Sequence, residues 1–351
     1  MADYLRDLKE VIQKGEGSEL RRKTLLRKVD RLGLDLRKAG YDVNREPQER
    51  LCLAMEPQNM EKAREWMFRL CMARLTRGDY SDWTGWEFRN EWATASYAAE
   101  IKNRRWRLEP VKSIAVLGEQ GIGDEIMFAS CIQDLKARVP DIVYECDPRL
   151  VEIFKRCLGV RAKAREDIAK RGEEVVNYLT MKRPEEAFIP AGDLPRLFRK
   201  HWRDFPRHVF LSPLPEMVEK WSHLKGRVGV AWRSRTGKVD PKEVGLDNPV
   251  CLQYDHWEYE TEGMTVPECD LRNDVEDILG ICANLSKLVT TPNTAVHFAG
   301  SIGTKVEVIL PPNGTGRVKN TMPYRYTKPM PWYKDVTVYD NMYAYKTTKT
   351  A

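Results

Sequence analysis

The sequence lacks the features that mark an exported or membrane-spanning protein. It has no run of about 18 apolar residues, and Met1-Ala-Asp-Tyr does not begin a charged segment followed by an apolar one. It also lacks C-x-x-C and H-E-x-x-H, and its eight cysteines and five histidines are scattered along the chain. We therefore expect a cytoplasmic protein with reduced, buried thiols, no membrane contact and no metal.

Two common nucleotide-binding patterns are absent as well. Gly118, Gly121 and Gly123 do not fit G-x-G-x-x-G, and no G-x-x-x-x-G-K-[ST] occurs. Both absences disfavour a dinucleotide fold of the NAD type and a P-loop. What this region does contain is a strand, a glycine loop and a helix. The apolar run 114–117 predicts a buried strand, and one helical face follows, formed by Phe128, Ile132, Leu135 and Val139.

Asp124 stands where the glycine loop enters that helix. A carboxylate at the carboxyl end of a parallel strand lies where open α/β sheets bind ligands. Acidic residues are also favoured in the first helical turn by the helix dipole and as caps. The local pattern leaves both interpretations open, a site residue and a helix cap.

The second half of the chain repeats the alternation of strand, loop and helix. Residues 227–238 predict a strand that runs into a polar loop with Arg233, Arg235 and Lys238. A strand at 287–291 then gives way to Pro292-Asn293-Thr294, which can begin a helix carrying His297. The free N–H groups at such a helix start favour an anion site.

These patterns divide the chain into three predicted domains. Residues 1–107 are helical in pattern, and residues 108–225 and 226–351 each hold strands alternating with helices. The first segment carries +5 of the net charge of +6. Within it, residues 21–38 hold eight basic and two acidic residues. Basic patches attract phosphate backbones, although basic helix faces are often merely solvated.

Four segments of the chain, which occur in the same order as in the family, resemble one protein family. They are Gly118-Glu-Gln-Gly-Ile-Gly-Asp124, the stretch 293–303, the tail from Met322 to Val336, and the region 77–89, which looks like a last helical repeat. They resemble GT-B glycosyltransferases of the heptosyltransferase-like kind, in particular those fused to tetratricopeptide helices. The resemblance implies an α/β GT-B fold with two Rossmann-like domains facing a cleft and an N-terminal tetratricopeptide-like extension. The tail is expected to cross back to the first half.

The resemblance also implies site residues, with Asp124 as the general base and the Gly121-Ile122-Gly123 loop at the cleft. The donor side would comprise Trp232, Arg233, Arg235, Lys238, Asn293, Thr294, Ala295, Val296 and His297. The acceptor side would be the loop that holds Asp193, Leu194 and Pro195. Many relatives have Asp at the 293 position, so Asn293 raises the alternative of a non-catalytic interaction protein.

The expected reaction is transfer of a sugar from a nucleotide sugar, with UDP as the expected nucleotide, to a hydroxyl, with no cofactor. Charge favours hydroxymethylated pyrimidines in phage DNA as the acceptor, in which case the protein would work in the host cytoplasm. The predicted nucleic-acid contacts are Arg21, Arg22, Lys23, Arg27, Lys28, Arg104, Arg105 and Arg107. Transfer to a protein or a surface glycan is the alternative. The sequence leaves the oligomeric state open.

Overall fold

A computed structural model of the protein describes residues 105–165, 184–234, 237–311 and 330–350, and some positions between 68 and 89. The chain divides into two compact units, Met1–Tyr97 and Ala98–Ala351. The sequence also predicts apolar helical stripes before residue 74 and a strand at 175–180, and the residues of both lie outside the described part of the chain. The tetratricopeptide-like extension and the three domain boundaries therefore stay predictions.

The described part of the first unit is a cluster of aromatic side chains around the short 3-10 helix Trp86–Arg89. Trp83 and Trp86 meet edge to face with ring centroids 5.3 Å apart, and Tyr80 lies 6.3 Å from Trp83. All three rings are almost fully buried. Aromatic rings of this size bury a large apolar area, so the cluster forms a small core of its own.

The second unit contains a four-stranded, fully parallel sheet in the order β3-β2-β1-β4. Its strands are β1 (Ser113–Leu117), β2 (Asp141–Cys146), β3 (Arg161–Ala164) and β4 (Ala187–Pro190). Its helices are α1 (Ile122–Ala129), α2 (Ile132–Lys136), α3 (Val151–Leu158) and α4 (Leu194–Phe198), followed by α5 (Pro215–Lys220). The central strand β1 is apolar and buried on both faces, as parallel strands covered by helices are.

A five-stranded parallel sheet follows in the same unit, in the order β11-β10-β9-β5-β8. Its five strands are β5 (Val228–Ala231), β8 (Val250–Cys251), β9 (Lys287–Thr290), β10 (Val306–Ile309) and β11 (Val336–Tyr339). The short strands β6 (Arg233–Ser234) and β7 (Gly237–Lys238) form a separate antiparallel hairpin. The helices are α6 (Val275–Asn284), α7 (Thr294–Ser301) and α8 (Met342–Thr350). The alternation of strands and helices predicted from the sequence is confirmed here.

The predicted helix after the glycine loop is broken into two, although its apolar face is buried as expected. The break falls at Ser130, whose hydroxyl donates back to the Met127 carbonyl at 2.7 Å. The carbonyl of Ser130 in turn accepts a hydrogen bond from the buried guanidinium of Arg199 at 3.1 Å. A serine that bonds back to its own turn bends a helix, and Arg199 stabilises the interruption.

Both sheets have a position where the strand order reverses. It lies between β1 and β4 in the first sheet and between β5 and β9 in the second. Loops at the carboxyl ends of the strands flanking such a position form the crevice in which open α/β sheets bind ligands. Helix α1 follows β1 and packs against α7, which follows β9. The fold therefore brings the two predicted site loops together.

The thiols of the described residues behave as the sequence predicts. All seven described cysteines are free, and five of them are buried. Burial raises the pKa of Cys131 to about 11 and that of Cys282 to about 12, which keeps these thiols protonated and unreactive. No helix among the described residues is long and apolar enough to cross a membrane.

Candidate functional site

Hydrogen bonds hold the residues of the loop between β1 and α1 in place. Gly118 donates its N–H to the Glu145 carbonyl at 2.6 Å, and a Cβ at Gly118 would lie 2.5 Å from the same oxygen, so only glycine fits. The buried carboxylate of Glu119 accepts the Gly192 N–H at 2.7 Å. Such ties hold a loop in one geometry before any ligand arrives.

Gln120 adopts a left-handed backbone conformation with φ of 64°. This region is unfavourable for residues other than glycine, so the neighbours must stabilise it. Arg165 supplies that support, because its guanidinium donates to the Gln120 carbonyl at 3.2 Å. The turn at Gln120 directs the chain into α1.

Asp124 lies in the first turn of α1, and only 6% of its surface is exposed. One carboxylate oxygen, Oδ2, accepts the Gly121 N–H at 3.2 Å, which caps the helix start. The two interpretations that the sequence left open are therefore compatible. The carboxylate caps α1 and lies at the reversal point of the first sheet.

Glu125, the next residue, is a second buried acid of the same turn that the sequence analysis did not identify. Its carboxylate accepts the Asp147 N–H at 2.8 Å and lies 3.1 Å from Nε of Arg165. Burial raises the pKa of Glu125 to about 8, against the opposing effect of Arg165. One signal could have revealed it, because α1 continues as Ile-Met-Phe-Ala after this residue. A helix that is apolar on every side is buried together with its acids.

Helices α1 and α7 are in close contact at Gly123 and His297. A Cβ at Gly123 would lie 2.7 Å from Cδ2 of His297, a distance that real Cβ atoms do not reach. His297 is only 2% exposed. The absence of a side chain at Gly123 thus lets the imidazole lie directly beside the residue that precedes Asp124.

The other side of the His297 ring is held by the tail. Nδ1 of His297 lies 2.9 Å from the hydroxyl oxygen of Tyr333. The Tyr333 ring packs against Gly300 of α7, where an added Cβ would lie 2.7 Å from Cγ of Tyr333. Trp332 contacts Phe205 and Phe128 with ring centroids 5.0 and 6.4 Å away. The tail therefore contacts α1, which follows a strand of the first sheet, and α7, which follows a strand of the second.

Asn293 is the N-cap of α7. Its Oδ1 accepts the Ala295 N–H at 3.0 Å, and its Nδ2 lies 3.5 Å from the Arg233 carbonyl. An asparagine oxygen makes the same cap contact as an aspartate oxygen, so the helix start is intact. Thr294 and Ala295 are partly exposed and Val296 is buried. Because Ala295 already donates to the cap, an anion would share that amide with Asn293.

Arg233 lies at the carboxyl end of β5, and acidic groups surround its guanidinium. Its NH1 is 3.0 Å from Oε1 of Glu260, and its NH2 is 3.5 Å from Oδ1 of Asp255. The backbone N–H donates to Oε1 of Gln253 at 2.9 Å. Desolvation alone would raise the pKa of Glu260, but the Trp257 N–H and Arg233 outweigh it and lower that pKa. A donor phosphate would therefore compete with Glu260 for this guanidinium.

The remaining donor-side residues occupy different environments. Trp232 is buried at 2% exposure. Lys238 is exposed and pairs through the hairpin with Arg233. Arg235 lies outside the described residues. The proposed donor contacts of these residues stay predictions.

The predicted acceptor-side residues follow β4 in the chain. Asp193 is fully buried and accepts a hydrogen bond from Nε of Arg105 at 3.0 Å, while Leu194 and Pro195 are buried beside it. Arg105 therefore neutralises Asp193 in this arrangement. Arg107 is exposed. The other predicted nucleic-acid contacts, Arg104 and the five basic residues at 21–28, lie outside the described residues.

Within the part of the chain that the structure describes, no cluster of three or more His, Cys, Asp or Glu side chains could hold a metal ion. Metal independence of the reaction stays a prediction.

Comparison with known proteins gives two findings on relatives. No protein-family model matches the chain. Its sequence is 27% identical over 274 residues to Protein FlbA of Caulobacter vibrioides, a match that covers 68% of this chain and 45% of that protein. The chain thus spans less than half the length of this curated relative.

Among solved structures, a family 9 glycosyl transferase from Veillonella parvula matches 70% of this chain and 90% of its own, with a TM-score of 0.51. The fold is GT-B-like. ADP-heptose LPS heptosyltransferase II of E. coli matches 65% of this chain and 90% of its own, with a TM-score of 0.45. Both are 12% identical to this chain. The likeness to the Veillonella parvula structure concerns the fold and not the activity.

Proposed function

We propose that this protein is a glycosyltransferase that moves a sugar from a nucleotide-sugar donor to an acceptor hydroxyl. One observation carries the proposal, the contact between Gly123 of α1 and His297 of α7. It joins the reversal points of two parallel sheets, each of which is a place where such sheets bind ligands. A group-transfer enzyme needs two substrates side by side, and the proximity of these two reversal points supports such an arrangement.

In the proposed reaction, Asp124 is the general base. It takes the proton of the acceptor hydroxyl while that oxygen forms a bond to the anomeric carbon of the donor. The bond between the anomeric carbon and the diphosphate oxygen breaks, and the nucleoside diphosphate leaves with the electron pair. The ties on Gly118, Glu119 and Gln120 support this role because they fix the turn that presents Asp124.

The donor diphosphate is proposed to bind at the start of α7, near Asn293 and Thr294. Helix N-termini attract phosphate through their N–H groups and the helix dipole. Arg233 is proposed to contribute once it exchanges Glu260 for a phosphate oxygen, because a guanidinium fork suits both partners. UDP stays the expected nucleotide.

Asn293 gives no structural reason to prefer the non-catalytic alternative. The residue caps α7 as an aspartate would, so its replacement leaves the helix start in place. The acceptor remains a proposal between hydroxymethylated DNA, a protein and a surface glycan. The described residues favour none of them, since Arg105 already pairs with Asp193.

The test is incubation of the full chain with UDP-, GDP- and ADP-sugars and each class of acceptor, followed by mass analysis of the products. The proposal predicts release of a nucleoside diphosphate together with a product heavier by one sugar. DNA binding that weakens steeply with salt would favour the DNA acceptor. If no combination of donor and acceptor gave donor hydrolysis or sugar transfer, that result would overturn the proposal and support the non-catalytic interaction protein.

A further inference from the structure

The tail residue Tyr333 contacts the candidate site through a hydrogen bond to a ring nitrogen of His297. The two atoms, Oη and Nδ1, are 2.9 Å apart, and both side chains are at most 2% exposed. Tyr333 lies 36 residues after His297 in the chain. A buried polar pair of this kind is formed only when the fold brings both partners together, and each partner would be costly to leave unpaired.

The geometry leaves the two rings little freedom. Gly300 allows the Tyr333 ring to lie on α7, and Phe210 stacks against its far side with an interplanar angle of 14°. The His297 ring is confined on its other edge by Gly123, whose Cβ position would lie 3.5 Å from Nε2. Neither ring can turn without disturbing α1, α7 or both.

The chemistry of the pair favours one direction of the hydrogen bond. A phenol is a stronger acid than a neutral imidazole N–H, and the imine nitrogen of imidazole is a stronger acceptor than a phenol oxygen. Donation from Tyr333 to Nδ1 places the ring hydrogen on Nε2, since a neutral imidazole carries only one. Nε2–H then becomes a fixed donor beside Gly123, next to the turn that carries Asp124.

We propose that Tyr333 is a positioning residue that donates its hydroxyl hydrogen to Nδ1 of His297 and thereby holds the imidazole in the Nε2–H tautomer. This inference rests on the proposed function in one respect. The Nε2–H group would donate a hydrogen bond to the donor diphosphate, whose negative charge is present before transfer as well as during it. Through Tyr333, the tail contributes to the site without contacting either substrate.

The first measurement is nitrogen NMR of the imidazole groups, which reports the tautomer without any turnover. The chain has five histidines, so comparison with His297→Gln identifies the signal. The wild-type protein should show His297 as the Nε2–H tautomer, and Tyr333→Phe should give a mixture of both. A wild-type Nδ1–H tautomer would overturn the inference, even if Tyr333→Phe failed to fold.

The second measurement is donor kinetics across a double-mutant cycle. Tyr333→Phe should raise the donor KM about tenfold, equivalent to about 1.4 kcal/mol, with a smaller change in kcat. In the His297→Gln background the same change should have no further effect, because the two residues act as one unit. Equal KM values for the wild type and Tyr333→Phe, with an unchanged tautomer, would contradict the inference.

Tyr339→Phe is the matched control. Tyr339 is the last residue of β11, shortly after Tyr333 in the chain. It packs on Tyr345 and makes no side-chain hydrogen bond among the described residues. Its replacement should change neither the His297 tautomer nor the donor KM. If the wild type transfers no sugar at all, the proposed function fails, while the NMR measurement still decides the tautomer.

Discussion

Glu125 carries a carboxyl group that is fully buried, and its ionisation is linked to folding. Burial raises its pKa from 4.5 to about 8. An acid whose pKa is higher in the folded state binds its proton more tightly there than in the unfolded chain. Between about pH 4.5 and pH 8 the unfolded chain releases this proton and the folded chain keeps it, so stability falls as the pH rises.

Glu125→Gln removes this linkage, since glutamine does not titrate. We expect the stability of the wild type, relative to the variant, to decrease by about 1.4 kcal/mol for each pH unit between the two pKa values, up to a few kcal/mol. Thermal unfolding midpoints of both proteins, measured from about pH 5 to about pH 9, check this. Glu152→Gln serves as the control for the loss of one carboxylate, because the side chain of Glu152 is 80% exposed and its replacement changes no buried group. A difference between wild type and Glu125→Gln that does not vary with pH would contradict the linkage.

Tyr144 is a buried polar residue whose hydroxyl should destabilise the fold. Its side chain is fully buried in β2, and its hydroxyl has no hydrogen-bond partner in the part of the chain that the structure describes. Tyr144→Phe should therefore stabilise the protein by about 1 kcal/mol, because a buried hydroxyl without a partner costs free energy. Thermal unfolding checks this, and Tyr333→Phe should change the midpoint in the other direction because it breaks a hydrogen bond. A lower midpoint for Tyr144→Phe would show that the hydroxyl does have a partner.

At the scale of helices, the close approach of α1 and α7 depends on one missing side chain. Alanine is favoured over glycine inside a helix by about 1 kcal/mol, which would make Gly123→Ala stabilising if space were available. The added Cβ would lie 2.7 Å from the His297 ring, which Tyr333 prevents from moving. Overpacking of this kind costs about 1–3 kcal/mol, so the net effect should be destabilising.

Gly121→Ala is the matched control for this prediction. A Cβ at Gly121 would meet only Oδ2 of Asp124, at an ordinary distance of 3.7 Å. Gly121 is the N-cap of α1, where alanine is less favourable than glycine, so we expect the unfolding midpoint of Gly121→Ala to fall only slightly, by the equivalent of about 0.5–1 kcal/mol. If Gly123→Ala were as stable as Gly121→Ala, the two helices would not be held together at this point.

The sequence predicts several elements of the fold correctly, for identifiable reasons. The strands predicted at 114–117 and 287–291 are short apolar runs, and their positions agree with β1 and β9 within one residue. The break after α1 could not be predicted. It depends on Arg199, which is distant in sequence and binds the Ser130 carbonyl.

In the candidate site too, some features follow from the local sequence and others depend on residues that are distant in the chain. Asp124 and Asn293 lie at the starts of the helices that follow β1 and β9, so local patterns are sufficient to predict them as candidates. The partners of Glu125, His297 and Arg233 are contributed by distant segments, namely Arg165, Tyr333 and Glu260. Local periodicity contains no information about such pairings, since the tertiary fold alone brings these residues together.

At the scale of the second unit, side chains from the first sheet's helices and loops reach the second sheet. Arg156 of α3 lies 2.5 Å from Glu276 of α6, and Arg149 donates to the Arg272 carbonyl at 2.8 Å. Trp332 adds an aromatic contact with Phe128. These contacts connect the parts of the chain around the first sheet, the second sheet and the tail. The same three parts meet at α1 and α7, so the contacts support the proposed position of the site there.

The most direct test of the proposed chemistry is the turnover of Asp124→Asn. Asparagine keeps the size of the side chain and an oxygen that can accept the Gly121 N–H, but it cannot take a proton from the acceptor. We predict a loss of about 10²- to 10⁴-fold in kcat, with donor affinity and the thermal midpoint nearly unchanged. Unchanged turnover together with a lower thermal midpoint would show that Asp124 only caps α1, and would contradict the central claim.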